Sequence, residues 1–224
     1  MTSERFEQYI QLLYNSISQL LSGDLNNERE PILKIIRECR EEGICDDQTV
    51  SHLMGLVEAV EGYSSGTVSL ESLLRSLKEE ISGGPAGGLA LLVLREICSP
   101  EVMDLMEGWS KDPEPEVRIA YLKCAAKLFD EGKLGLDDLA AFSDDPSPKV
   151  RETLVSTLSK SASEDEVFSL LRRMLSTERR SSVRSEILIA LSGALDREEE
   201  AEEGSTWRRL RRLLRRHRSG VDGR

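Results

Sequence analysis

A motif that occurs twice, 33 residues apart, constrains the fold of this chain more than any other feature. Residues 112–118 read DPEPEVR and residues 145–151 read DPSPKVR. Another 33 residues along, Val183 and Arg184 recur, while Glu178-Arg179 replaces the Asp-Pro pair. Self-similarity at a fixed period of this length is typical of proteins built from stacked modules. The spacing therefore predicts consecutive modules of about 33 residues.

Apolar residues follow the same offset on the C-terminal side of each motif. A buried helix face would explain why apolar residues recur in register with the motif. The three sets are Tyr121, Leu154 and Ile187; Leu122, Val155 and Leu188; and Ala125, Leu158 and Leu191.

Each residue type in the motif has a structural reason to be there. A turn aspartate can accept backbone N–H groups, and a proline fits the first turn of a helix. The valine begins the next helix on its buried face, and the arginine follows it near the helix entrance. We expect these arginines to lie beside the turn aspartates of neighbouring modules, as an ion-pair ladder that is structural rather than ligand-binding. The predicted ladder comprises Asp112, Val117, Arg118, Asp145, Val150, Arg151, Val183 and Arg184.

The motif resembles the HEAT repeats of the bacterial and archaeal HEAT-like type, in which an Asp-Pro turn leads to a helix that opens with Val-Arg. The resemblance is strong over residues 100–196 and weaker over 68–98, where the turn reads GGPAGG. It implies an all-α fold, a right-handed α-solenoid of stacked antiparallel helix pairs. We interpret GGPAGG as a tight turn rather than a hinge, and Trp109 as a packing residue rather than an exposed anchor.

The periodicity of the apolar residues predicts about twelve helices and no sheet. We expect three regions: N-terminal helices over residues 1–66, HEAT-like repeats over 67–203, and a basic amphipathic helix and tail over 204–224. The predicted helices cover residues 4–21, 30–42, 46–60, 70–81, 89–97, 100–111, 115–130, 135–143, 148–160, 164–176, 180–196 and 206–217.

Charge is distributed unevenly along the chain. The net charge is −11, and residues 204–224 hold eight Arg and one Asp, which is +7, so the first 203 residues carry −18. In the basic helix a stripe of Trp207, Leu210, Leu214 and His217, widened by Leu213, lies among arginines. Three roles remain open: docking on the preceding helices, contact with nucleic-acid phosphates, and, least favoured, contact with an anionic membrane surface. The candidate contact residues are Trp207, Arg208, Arg209, Arg211, Arg212, Arg215, Arg216 and Arg218.

Signals of catalysis are scarce. The only histidines are His52 and His217, and no phosphate-binding loop, nucleophile-elbow motif or metalloprotease motif occurs. The sequence therefore predicts no catalytic residues, no metal and no cofactor. The favoured hypothesis is a scaffold or adaptor that binds another protein through a concave face lined by the second helix of each pair. The alternatives are a protein that contacts nucleic acid through the C-terminal helix and, less favoured, a HEAT-like enzyme such as a DNA glycosylase or a lyase.

The four cysteines indicate the compartment. They are scattered at positions 39, 45, 98 and 124, with no CxxC pair. This spacing suggests neither a zinc site nor a disulfide framework, so we expect a reducing cytoplasm. No run of 18 apolar residues occurs, and we expect no transmembrane segment.

Overall fold

A computed structural model of the chain describes residues 2–22, 29–161 and 165–194. Within these residues the regular structure is helical and no strand occurs, which confirms the predicted all-α class. The α-helices are α1 (Thr2–Leu21), α2 (Arg29–Glu41), α3 (Asp47–Ser64), α4 (Leu70–Ile81), α5 (Gly87–Ile97), α6 (Pro100–Leu105), α7 (Pro115–Asp130), α8 (Leu136–Ala140), α9 (Pro148–Leu158), α10 (Asp165–Thr177) and α11 (181–194). The predicted helix at 206–217 lies outside the described residues.

Local sequence explains where the helices begin. Asp46 caps α3, because its carboxylate accepts the N–H of Thr49 at 2.7 Å. Ser69 and Ser99 cap α4 and α6 through their hydroxyl groups in the same way. Prolines occupy the first turns of α6, α7 and α9, where no N–H group is needed.

The predicted bounds differ from the structure mainly at helix ends. Helix α3 runs to Ser64, a turn beyond the predicted end at Val60. The predicted helix over 100–111 is α6 followed by a 3-10 helix, Glu107–Lys111. Gly108, a poor helix former, lies in that second stretch.

The described chain forms two compact units, Met1–Leu139 and Ala140–Arg224. In the first unit, α1 packs on α2, α3 and α5, while α4 and α5 pack on each other and on α7. Leu13, Leu53, Leu77 and Leu89 are fully buried there. The predicted boundaries at 66 and 203 remain predictions, because they mark changes in sequence character rather than in compactness.

The residues that recur every 33 positions are mostly buried. The three valines that open α7, α9 and α11 have no exposed surface. Leu154 and Ile187 are equally buried, as are Leu122 and Val155. Tyr121 is only partly buried, and Leu188 is 49% exposed.

The four cysteines form two disulfides, so the expectation of no disulfides is wrong. Cys39 is bonded to Cys45 with their Cα atoms 5.4 Å apart, and Cys98 to Cys124 with their Cα atoms 5.8 Å apart. The second bond joins the end of α5 to the middle of α7, 26 residues along the chain. Sequence spacing could not show this pairing, because helix packing brings the two residues together.

None of the described helices has both the length and the apolar character needed to cross a membrane.

Candidate functional site

The turns before α7, α9 and α11 share one geometry, built on an acidic side chain. The carboxylate of Asp112 accepts the N–H of Glu114 at 3.0 Å, and that of Asp145 accepts the N–H of Ser147 at 2.8 Å. Thirty-three residues later, Glu178 accepts the N–H groups of Arg179 and Arg180, each at 2.8 Å. Glu178 therefore performs the role of the missing aspartate. The sequence shows that Glu178 replaces the aspartate, but it does not show that Glu178 accepts the same turn N–H groups.

The recurring arginine of each module reaches back to its own turn. Nη1 of Arg118 donates to the carbonyl of Asp112 at 2.7 Å, and Nη1 of Arg151 donates to the carbonyl of Asp145 at 2.5 Å. Nη1 of Arg184 donates to the carbonyls of Leu175 and Glu178 at 2.8 and 3.1 Å. These bonds satisfy turn carbonyls and fix the start of each helix relative to its turn.

Arg151 also joins its own module to the next one. Its Nε and Nη2 atoms donate to the two carboxylate oxygens of Glu178 at 2.6 and 2.9 Å. The pair is almost fully buried, with side-chain exposures of 14% and 5%. A two-point bond between a guanidinium and a carboxylate is strong and directional. A ladder of such pairs along all the modules remains a prediction.

The electrostatics of this pair follow from its contacts. The bonds from Arg151 lower the pKa of Glu178 to about 2, burial opposes that shift, and the two backbone N–H groups add to it. The pKa of Arg151 is raised, first by its bond to Glu178. The two groups therefore stabilise each other's charged forms.

The turn before α7 has a lysine as its partner. Lys78, in the last turn of α4, lies 2.6 Å from the carboxylate of Asp112 and 5.9 Å from the ring centroid of Trp109. Burial alone would raise the pKa of Asp112, but bonds from Lys78 and from the N–H of Glu114 leave it lowered. Trp109 is 7% exposed, so it is a packing residue. The sequence offered no signal for Lys78, which belongs to no motif.

The GGPAGG turn encloses another buried carboxylate. Glu80 accepts the N–H of Ala86 at 3.1 Å, and its other oxygen lies 2.6 Å from Nδ1 of His52. A Cβ atom on Gly84 would lie 2.2 Å from Glu80, and Gly83 has a φ of +136°. These contacts describe a tight turn that requires glycine. A glutamate three residues before a glycine cluster is too common a pattern for the sequence alone to have indicated this site.

These arrangements hold helices and turns together. The acidic and guanidinium groups of the turns bond to backbone atoms or to each other, as described above. In the described ranges, no three His, Cys, Asp or Glu side chains come together as metal ligands would. The predicted phosphate-contacting residues, from Trp207 to Arg218, lie outside the described residues.

Helical modules in a 33-residue register, with recurrent carboxylate turns and buried valines, define a helical-repeat protein of the α-solenoid class. Residues 102–192 match the family model of HEAT repeats. The chain is therefore similar to HEAT repeats over less than half of its length. Neither the curated proteins nor the solved structures include a match to this chain.

Proposed function

We propose that this chain is a non-catalytic HEAT-repeat scaffold that binds another protein. The proposal rests on the recurring polar side chains at the turns, because they form hydrogen bonds and ion pairs within the fold. The side chains on either side of these turns have partners inside the molecule. Examples are Asp112, Arg118, Arg151 and Glu178. What remains for function is the repeated outer surface, and modules of this kind present extended surfaces to partners.

The second helix of each module is the part of that surface we assign to the partner. The residues 33 apart at positions 123, 156 and 189 are all exposed, although each helix buries most of its apolar residues. They are Lys123, Ser156 and Ile189. Their exposure at equivalent positions of α7, α9 and α11 leaves one row of each second helix accessible.

Crosslinking with mass spectrometry on the full chain in native extract tests the proposal. A defined partner should crosslink to lysines of the repeats, among them Lys123 and Lys149. The result should persist in the purified pair. A chain that crosslinks to nothing and turns over a substrate contradicts the proposal and supports the HEAT-like enzyme alternative.

Contact with nucleic acid through residues 204–224 is the second candidate, favoured by their charge of +7. The predicted contacts are Arg208, Arg209, Arg211, Arg212, Arg215, Arg216 and Arg218, beside Trp207. Retention on DNA or RNA should fall steeply with salt, because each neutralised phosphate releases counterions. Retention should disappear when residues 204–224 are deleted. Absent retention, or retention that salt does not change, argues against this candidate.

The cytoplasmic location remains a prediction, and the two disulfides weigh against it. Disulfides persist mainly in oxidising compartments, although intracellular proteins of hyperthermophiles also contain them. Alkylation of free thiols in protein taken directly from its native cells would decide the matter. Four alkylated cysteines support the reducing cytoplasm, and none supports an oxidising compartment.

A further inference from the structure

We propose that residues 207–217 of this chain dock on the outer face of α11, over Leu188 and Ile189. This face is defined here by Ser181, Ser185, Leu188, Ile189 and Ser192, and it is called the α11 face. The docking is an interaction within the chain. It covers Ile189 of α11 and leaves the equivalent residues of α7 and α9, Lys123 and Ser156, to the partner proposed above.

The residues of the α11 face are exposed, although in α7 and α9 the equivalents of all except Ile189 are buried or partly buried. Leu122 and Val155 have no exposed surface, whereas their equivalent Leu188 is 49% exposed. Two further sets of equivalent residues change in the same direction, from buried through intermediate to exposed. These sets are Ile119, Glu152 and Ser185, and Ala126, Ser159 and Ser192. Each module of a stack covers its neighbour, so this trend marks a face of α11 that lacks its covering element among the described residues.

The chemistry of the α11 face suits an apolar partner. Ile189 is 67% exposed and lies next to Leu188, and both are large aliphatic residues. The other residues of the face are serines, so it carries no charge. Opposite it, Val183, Ile187 and Ala194 are buried. Helix α11 is therefore apolar on two sides, which is typical of a helix packed between two others.

The sequence that follows α11 supplies a matching segment. Within residues 207–217, Trp207, Leu210 and Leu214 are spaced for one face of a helix, and Leu213 widens that face. Arginines occupy the remaining positions except His217, and they would stay in water when the apolar stripe is covered. Residues 195–206 separate this segment from the described part of α11, and twelve residues would span about 40 Å if fully extended. The described part of α11, residues 181–194, is about 21 Å long, so this reach would allow the segment to return along it.

The fluorescence of Trp207 tests the docking directly. The chain has two tryptophans, and replacing Trp109 with Phe leaves Trp207 as the only one, which is excited at wavelengths that tyrosine does not absorb. If residues 207–217 dock, acrylamide should quench Trp207 several-fold more slowly than it quenches free tryptophan. The double variant L188D/I189D should restore rapid quenching while the circular dichroism of the chain remains helical.

Leu12 provides the matched control, because it is 50% exposed on α1. The L12D variant should leave the quenching of Trp207 unchanged. In the chain with both natural tryptophans, hydrogen exchange of amides 207–217 should be slow and should accelerate in L188D/I189D. If Trp207 is quenched rapidly even in the chain that keeps Leu188 and Ile189, the proposal is overturned. The proposal is also overturned if a dimer dissociates on dilution and the amide protection is lost with it. A second copy of the chain would then cover the α11 face.

Discussion

At the scale of single residues, the pair of Arg151 and Glu178 shows how one module is tied to the next. Glu178 closes its own turn through the backbone N–H groups of Arg179 and Arg180, and it also binds the guanidinium of Arg151. Arg151 in turn bonds to the carbonyl of Asp145. One buried carboxylate and one guanidinium therefore connect two consecutive turns.

Replacing Glu178 with Gln should destabilise the fold by on the order of 3 kcal/mol near neutral pH, because it leaves the charge of Arg151 buried without its partner. The folded pKa of Glu178 is about 2, below its usual 4.5. The stabilisation is therefore complete above that usual value and is lost as pH falls toward 2. The difference between wild type and E178Q in urea unfolding should thus shrink by more than half by about pH 3.

Glu166 supplies the control for this experiment. It is exposed on α10, and E166Q should change the free energy of unfolding by less than about 0.5 kcal/mol. An E178Q difference that does not vary between pH 7 and pH 3 would show that the charge of Glu178 is not the source of the stability.

At the scale of elements, the sequence predicted the helices well and the contacts between them less well. The bounds of α4 and α7 agree with the apolar periodicity and with the proline in the first turn of α7, since both signals are local. The roles of Glu80, Lys78 and Glu178 could not be predicted, because their partners come from other elements. The disulfide between Cys98 and Cys124 was missed for the same reason. Leu188 follows the 33-residue register of Leu122 and Val155, but it is exposed. Its burial depends on a neighbouring element, which the register does not specify.

The turn between α4 and α5 can be tested with two glycines. G84A should destabilise the fold by about 1–3 kcal/mol, because its Cβ atom would overlap the carboxylate and backbone of Glu80. G88A should be neutral or stabilising by up to about 1 kcal/mol, since Gly88 lies in α5 with open space around it. Thermal unfolding of both variants measures the contrast. Equal effects would mean that Glu80 does not fill the turn.

At the scale of the whole molecule, the chain combines a repeated scaffold with uneven charge. The match to HEAT repeats covers residues 102–192, where the turn motif recurs. The helices before it carry no such motif, yet they bury an extensive apolar core that includes Leu13, Leu53 and Leu89. Local turn chemistry therefore defines the repeats, and apolar packing suffices for the helices that precede them.

The two disulfides should stabilise the chain unequally. Replacing Cys98 and Cys124 with Ala should cost about 3 kcal/mol, because the bond closes a 26-residue separation. Replacing Cys39 and Cys45 should cost about 2 kcal/mol, since only 6 residues separate them. Urea unfolding of the two double variants without reductant gives both values. No loss in the first variant, relative to wild type, would show that Cys98 and Cys124 are not bonded in the protein.

The central claim is that the second helices of the modules bind a protein, and one affinity measurement tests it most directly. The partner identified by crosslinking is titrated into wild type, S156R and S169R. Both serines are exposed, Ser156 on the second helix α9 and Ser169 on the first helix α10. We predict at least tenfold weaker binding for S156R and unchanged binding for S169R. Equal affinity for all three chains, or loss only in S169R, would contradict the claim.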